Sequence, residues 1–174
     1  MWRFGMNIQE FEKDLEITMD KYGSLLFKMS ILMVKNKSDA EDIVQDTMIK
    51  YYTDRPEFDN EDHKKNWLIK VSQNKCKDLL KYKKRHMQVQ YETVEYCFSS
   101  GKEYEESVID ELIKLSNLNY KYKSVILLYY MEEYTIEEVA DILGISTSSV
   151  KMRLKRGREK MKVAYEELHM KEVL

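Results

Sequence analysis

Residues 135–162 read TIEEVADILGISTSSVKMRLKRGREKMK, and this stretch decides the fold of the C-terminal part of the chain. Thr135 with Glu138 fits a capping box at the start of a helix. Gly144 suits the left-handed residue that ends this helix, and Ser146 is a favourable N-cap for the next one. The combination predicts a helix, a tight turn and a second helix, the arrangement called helix-turn-helix.

The second helix of this pair is strongly basic. Residues at helical spacing form its predicted core-facing side: Val150, Leu154, Gly157 and Met161. Its cationic side chains mostly lie elsewhere on the helix: Lys151, Arg153, Lys155, Arg156 and Arg158. The second helix of a helix-turn-helix enters the DNA major groove, so the pattern predicts a DNA-binding surface. The alternative is an ordinary helical hairpin with a solvated basic face.

Composition points to a helical protein without a metal or a cofactor. The chain has 174 residues with 43% hydrophobic content, one Pro and five Gly, so it can build a core from little-interrupted helices. It has no apolar run that could span a bilayer and no signal-peptide core near its start, which predicts a cytoplasmic protein without membrane insertion. Cys76 and Cys97 form no ligand motif with the histidines, so we predict no metal site and no catalytic residue.

Charge alternates along the chain although the net charge is only −2. Residues 38–46 are acidic, 64–85 are basic, 92–111 are acidic and 151–162 are basic. Phosphate binding depends on local clusters of Lys and Arg rather than on net charge. The two basic runs therefore predict two separate contacts with nucleic acid.

The periodicity predicts an all-α fold with two small helical domains, at 8–88 and 109–170, joined by a flexible acidic linker at 89–108. In the first domain we expect an amphipathic helix from Ile8 to Met19, an apolar segment at 22–34, a helix opened by a Ser38–Glu41 capping box, a loop at 53–63, and a long helix at 64–85 with Trp67 in its core-facing side. In the second domain we expect helices near 108–117, 120–132, 135–143 and 146–168.

Three segments in this order match one family: DAEDIVQDTMIKYY, WLIKVSQNKCKDLLKYKKR and YTIEEVADILGISTSSVKMRLKRGREKM. Together they resemble the small sigma factors of bacterial RNA polymerase, most closely the extracytoplasmic-function (ECF) group. The resemblance covers about residues 8–165. It implies an N-terminal sigma region 2 bundle, a C-terminal sigma region 4 helix-turn-helix, and core RNA polymerase and promoter DNA as partners.

The resemblance also implies roles for individual residues. Docking on a coiled coil of the largest polymerase subunit is expected to involve Asp42, Gln45 and Asp46. Contacts with the −10 promoter element fall to Asn74, Lys77, Asp78, Lys81, Lys84 and Arg85, with a pocket for a flipped base expected at 59–66. Contacts with the −35 element fall to Ser148, Ser149, Lys151, Arg153 and Arg156. The linker glutamates could mimic phosphates in a polymerase channel or form a solvated tether.

Two alternatives to a sigma factor remain. The chain could be a free-standing helix-turn-helix regulator of transcription that dimerises through residues 1–88. It could also be a nuclease built on the acidic cluster, although helical spacing does not converge Asp42 and Asp46 on a metal ion. For a sigma factor, the resemblance implies an anti-sigma factor, often membrane-anchored in this group, as a further partner.

Overall fold

The computed structural model describes residues 8–86 and 117–172, with side chains described as far as residue 166. Every regular element in these ranges is helical, and the chain divides into two compact units, one containing 8–86 and the other 117–172. The all-α, two-domain prediction is confirmed. The linker at 89–108 and most of the helix predicted near 108–117 lie outside the described residues, and the exact domain boundaries stay predictions.

The N-terminal unit is a bundle of three helices: α1 (Ile8–Val34), α2 (Lys37–Asp54) and α3 (Glu61–His86). Each helix packs against the other two. Leu26 of α1, Ala40 of α2 and Leu68 of α3 are completely buried. Burial of such side chains is the main stabilising contribution to a small helical domain.

Helix α1 is longer than its apolar pattern suggests. The segment from Ile8 to Met19 and the segment at 22–34 form one continuous helix. Ile8 and Met19, the apolar residues that bound the predicted amphipathic helix, are 59% and 45% exposed, whereas Phe11 is buried. The helix ends where Lys35 takes a left-handed φ of 57° and its N–H donates to the carbonyl of Ile31 at 2.9 Å.

The start of α2 differs from the predicted capping box. Asn36, not Ser38, is the N-cap, and its Oδ1 accepts a hydrogen bond from the N–H of Asp39 at 2.9 Å. Glu41 instead lies 3.9 Å from the ammonium of Lys37. The left-handed Lys35 places Asn36 at the first position where a cap can act, so the nearer of two favourable capping residues is used.

The connection between α2 and α3 is shorter than the predicted loop at 53–63. Helix α2 continues to Asp54 and α3 begins at Glu61. Asn60 accepts a hydrogen bond at its Oδ1 from the N–H of His63 at 2.8 Å, which caps α3 earlier than expected.

Buried polar contacts fasten α1 to the other two helices. The ammonium of Lys64 lies 2.9 and 3.0 Å from the two carboxylate oxygens of Asp14, and the hydroxyl of Tyr51 donates to the same carboxylate. Burial and this bond raise the pKa of Tyr51. Lys64, only 8% exposed in its side chain, thus serves the fold although it belongs to the basic run 64–85.

The C-terminal unit contains α4 (Tyr120–Ile126), a π-helical turn that continues it (Leu127–Met131), α5 (Ile136–Leu143) and α6 (Thr147–Glu172). The long α6 packs against both α4 and α5. The core of the C-terminal unit includes the completely buried Leu127, Val139 and Val150. The π-helical turn was not predicted, because apolar spacing alone does not separate it from an α-helix.

Gly157 lets α4 approach α6 closely. A β-carbon at this position would lie 2.6 Å from Cδ1 of Ile126 and 3.6 Å from Cβ of Tyr122. A glycine inside a helix costs about 1 kcal/mol relative to alanine. At this crossing the missing side chain leaves room for Ile126, which is completely buried.

Candidate nucleic-acid and protein interfaces

The helix-turn-helix is formed by α5, the turn after it and the beginning of α6. The N–H of Thr135 donates to Glu138 at 2.8 Å, and the N–H of Glu138 donates to the Thr135 hydroxyl at 3.2 Å. These bonds confirm the capping box. The hydrogen bonds that the Glu138 carboxylate accepts from the N–H and the hydroxyl of Thr135 lower the pKa of Glu138. Gly144 has the predicted positive φ, 62°, and the N–H of Ser149 donates to Ser146 at 3.2 Å, which confirms the second cap.

The sides of α6 are clearly separated. Val150, Leu154 and Gly157 are buried, as predicted. The five residues predicted to meet the −35 element lie on the first turns of α6: Ser148, Lys151 and Arg156 are exposed, and Ser149 and Arg153 are half-buried. The first turns of α6 therefore present a polar, mainly cationic surface of the kind that binds DNA phosphates and base edges.

Serine hydroxyls cluster at the start of α6. The Ser146 hydroxyl lies 3.0 Å from that of Ser148 and 2.9 Å from that of Ser149. Each hydroxyl can both donate and accept, so the group can exchange an internal bond for one to a phosphate or a base.

Two arginines of α6 contact tyrosines of the preceding helical segment. Arg158 donates from Nη1 to the hydroxyl of Tyr130 at 3.1 Å, and this bond raises the pKa of Arg158. Burial raises the pKa of Tyr122, but hydrogen bonds from Arg156 and Lys121 and the charges of both outweigh it and leave the pKa below its ordinary value. Sequence analysis missed both tyrosines, because contacts across 28 or more positions leave no local signal.

The second candidate DNA surface lies on α3. Of its predicted −10 residues, Asn74, Asp78, Lys81, Lys84 and Arg85 are exposed and Lys77 is half-buried. Lys81 lies 3.8 Å from Asp78. Asn74, Asp78, Lys81 and Arg85 recur at intervals of three or four residues and share one side of α3, which forms a continuous strip.

Two other lysines of α3 are engaged by α2. Lys75 lies 2.9 Å from a carboxylate oxygen of Asp46, and Lys83 pairs with Asp39. Lys75 directly follows Asn74, which belongs to the predicted −10 residues. Asp46 belongs to the predicted docking residues. The ion pair thus links the predicted docking surface on α2 to α3, the helix that carries the predicted −10 surface.

The predicted docking surface lies on the outer side of α2. Asp42, Gln45 and Asp46 are all exposed, and Ile49 beside them is 53% exposed. An acidic surface with an apolar edge is complementary to a basic helical partner that also offers apolar contacts.

The segment 59–66, where a pocket for a flipped base is expected, is mostly helical, and the pocket itself stays a prediction. Residues 61–66 belong to helix α3, and only 59 and 60 lie in the connecting loop. An aromatic cluster adjoins this loop, with the Phe58 ring centroid 5.4 Å from that of His63 and 5.9 Å from that of Trp67. Trp67 is half-buried in this cluster, which fits the packing role predicted for it.

Neither a metal centre nor a membrane span can be assigned in the described part of the chain. Within 8–86 and 117–172, no three His, Cys, Asp or Glu side chains are grouped so that they could hold a metal ion. In the same ranges no helix combines the length and the apolar content that crossing a bilayer requires.

Comparison with known proteins places both units in one family. Sequence models of Sigma-70 region 2 and of Sigma-70, region 4 match residues 18–86 and 114–161. RNA polymerase sigma factor SigV of Bacillus subtilis is 33% identical over 139 residues, covering 79% of this chain and 82% of SigV. ECF RNA polymerase sigma factor SigW of the same organism is 28% identical over 160 residues, covering 83% of this chain and 84% of SigW.

Solved structures share the fold. The sigma factor RpoE in complex with the anti-sigma factor NepR from Bartonella quintana aligns with a TM-score of 0.70 at 22% identity, covering 91% of this chain and 98% of RpoE. CnrH in complex with the cytosolic domain of CnrY aligns with a TM-score of 0.64 at 20% identity, covering 90% of each chain.

Proposed function

This chain belongs to the sigma-70 family of RNA polymerase sigma factors, in its ECF group, and we propose that it binds core RNA polymerase and directs transcription initiation at specific promoters. The observation that carries the proposal is the match of both family regions, in order, to two separate helical units. Polymerase supplies the chemistry in this proposal, and the chain supplies promoter recognition.

Core polymerase is assigned to the outer side of α2. Asp42, Gln45 and Asp46 are exposed there beside the apolar Ile49. The carboxylates would pair with basic side chains of a polymerase coiled coil, which sets the register of docking and accelerates encounter. On binding, the Ile49 side chain would lose its contact with water and add apolar contact at the edge of the same surface.

Promoter DNA is assigned to the exposed strip of α3 and to the start of α6. On α3, Asn74 and Asp78 would contact the −10 element, and the lysines and Arg85 would neutralise phosphates. On α6, Arg153 and Arg156 would contact base edges of the −35 element, where an arginine can bind guanine through two hydrogen bonds. Capture of an unpaired base by the N-terminal unit would then stabilise the opened duplex.

An anti-sigma factor is a further proposed partner. RpoE and CnrH are both found in complexes with a second protein, an anti-sigma factor in the case of RpoE. A protein that covers the α2 and α6 surfaces would keep this chain from polymerase and DNA until a signal releases it. Such a role places the chain in the cytoplasm, with polymerase and the chromosome.

Complex formation with purified core polymerase tests the proposal. The full-length chain is mixed with core enzyme and the mixture is separated by size-exclusion chromatography. We expect the chain to elute with core enzyme. Elution apart from core, together with sequence-specific DNA binding by the chain alone, would instead support a free-standing helix-turn-helix regulator. Metal-dependent DNA cleavage by the pure chain would support a nuclease.

A further inference from the structure

An apolar side chain occupies the outermost position of the first turns of α6. Met152 is 55% exposed, whereas Val150 and Leu154, two positions to either side, are 0% and 3% exposed. With 3.6 residues per turn, Met152 therefore points away from the buried side of the helix. A helix that enters a major groove by its exposed side brings this residue closest to the base edges.

The neighbours of Met152 have the chemistry of DNA-binding residues. Ser148 and Arg156 lie one turn before and after it on the same side, and both are exposed. Lys151 and Arg153 adjoin it in sequence and project to its two flanks. Lys151 on one flank would contact phosphates and hold the helix in the groove, and Arg153 on the other would reach a neighbouring base edge. The central side chain would then face the bases.

A methionine can recognise one base in the major groove. Its thioether is flexible and apolar, and it is at most a weak hydrogen-bond acceptor. All four bases present polar groups there, and thymine alone also presents a methyl group. Covering polar edges without replacing their hydrogen bonds to water is unfavourable, whereas contact with a methyl group is favourable.

We propose that Met152 is a specificity-determining residue, which contacts the methyl group of one thymine in the upstream promoter element and so selects a T·A pair at that position. The proposal rests on the proposed function in one respect, that α6 binds DNA. It adds the rule that the side chain at position 152 decides which base is preferred: methionine favours the thymine methyl group, whereas serine would favour a polar base edge.

Selection from a randomised duplex DNA library tests this inference. The full-length chain, alone and with core polymerase, selects DNA as wild type, Met152→Ser and Met152→Leu. Each selected sequence is then remade with uracil, which lacks the methyl group, in place of one thymine at a time. Val163→Ser on the same helix is the matched control, because Val163 is 53% exposed but lies three turns further along.

Wild type, Met152→Leu and Val163→Ser should select the same T·A pair and should lose about fourfold in affinity when its thymine becomes uracil, the effect of one buried methyl group. Met152→Ser should lose both the preference and the sensitivity to uracil. The same selection and uracil response in all four proteins would overturn the inference, as would a Met152→Ser defect confined to polymerase binding. Selection by the chain alone, without binding to core, would contradict the proposed function while still testing Met152.

Discussion

The carboxylate of Asp46 in α2 lies 2.9 Å from the ammonium of Lys75 in α3, and this ion pair joins the proposed polymerase-docking surface to the helix that carries the proposed −10 surface. The Asp46 side chain is 59% exposed and that of Lys75 is 29% exposed. An ion pair of this kind contributes at most about 1 kcal/mol to folding. Asp46 can therefore be exchanged without loss of the fold.

Charge reversal at Asp46 should weaken core binding. Asp46→Lys places a cation opposite a basic partner and should reduce affinity for core polymerase about tenfold or more, measured by titration of labelled chain. The swapped variant Asp46→Lys with Lys75→Asp keeps the internal ion pair and is the control. It should bind core as weakly as Asp46→Lys. Recovery of wild-type affinity in the swapped variant would mean that Asp46 acts only through Lys75.

Removal of two α6 arginines should impair promoter recognition selectively. Arg153→Ala with Arg156→Ala removes contacts that can each contribute about 1–3 kcal/mol of base discrimination. Transcription from a matched promoter should fall about tenfold or more, while the affinity for core polymerase stays unchanged. Lys162→Ala, on the same helix with a side chain 76% exposed, is the matched control and should transcribe normally. Equal transcription by the double variant and wild type would exclude these arginines from recognition.

The contact between Gly157 and Ile126 predicts a coupled change in stability. Gly157→Ala should destabilise the C-terminal unit, because overpacking against Ile126 outweighs the helix propensity gained by alanine. Ile126→Val removes the Cδ1 atom that lies 2.6 Å from the added β-carbon. In chemical unfolding, the double variant should lose less free energy of unfolding than the two single variants lose together, by about 1 kcal/mol. Additive effects would mean that Ile126 moves aside without cost.

The buried thiol of Cys76 makes stability depend on alkaline pH. Burial raises its pKa from 9.0 to about 11, against smaller opposing hydrogen bonds from Ser30 and Ser72. Between these values the unfolded chain loses the thiol proton and the folded chain keeps it. The contribution of this thiol to the free energy of unfolding should therefore be constant below pH 9. Between pH 9 and about pH 11 it should fall by about 1.4 kcal/mol per pH unit.

Comparison with a variant isolates the contribution of Cys76, because Tyr51 also has a raised pKa. The free energy of unfolding is measured by urea titration from pH 8 to pH 11 for wild type and Cys76→Ala. The difference between the two proteins should shrink across the alkaline range. A difference that is constant with pH would show that the thiol titrates alike in the folded and unfolded chains.

Local features of the sequence predicted the helix-turn-helix well. The capping box of Thr135 and Glu138, the left-handed Gly144 and the cap at Ser146 each depend on residues within three positions of one another. The prediction of Ser38 as the cap of α2 was wrong, because the position of the cap depends on where α1 ends. Helix α1 ends at the left-handed Lys35, and Asn36 directly after it takes the cap.

Contacts between distant residues could not be predicted from the sequence. Lys64 read as one of many surface lysines, yet it pairs with Asp14, fifty positions away, and is buried. The engagement of Lys75 by Asp46 and of Arg158 by Tyr130 is of the same kind. Periodicity places such residues on a side of a helix but does not identify the helix that packs against it.

Run-off transcription with start-site mapping shows directly whether this chain directs initiation at specific promoters. Core polymerase transcribes fragmented genomic DNA with and without the full-length chain, and the 5′ ends of the transcripts are sequenced. We expect chain-dependent starts at discrete sites that share two upstream sequence elements at a constant spacing. The core enzyme must transcribe with another sigma factor as a control. If that enzyme gives the same transcript ends with and without the chain, the proposed function is contradicted.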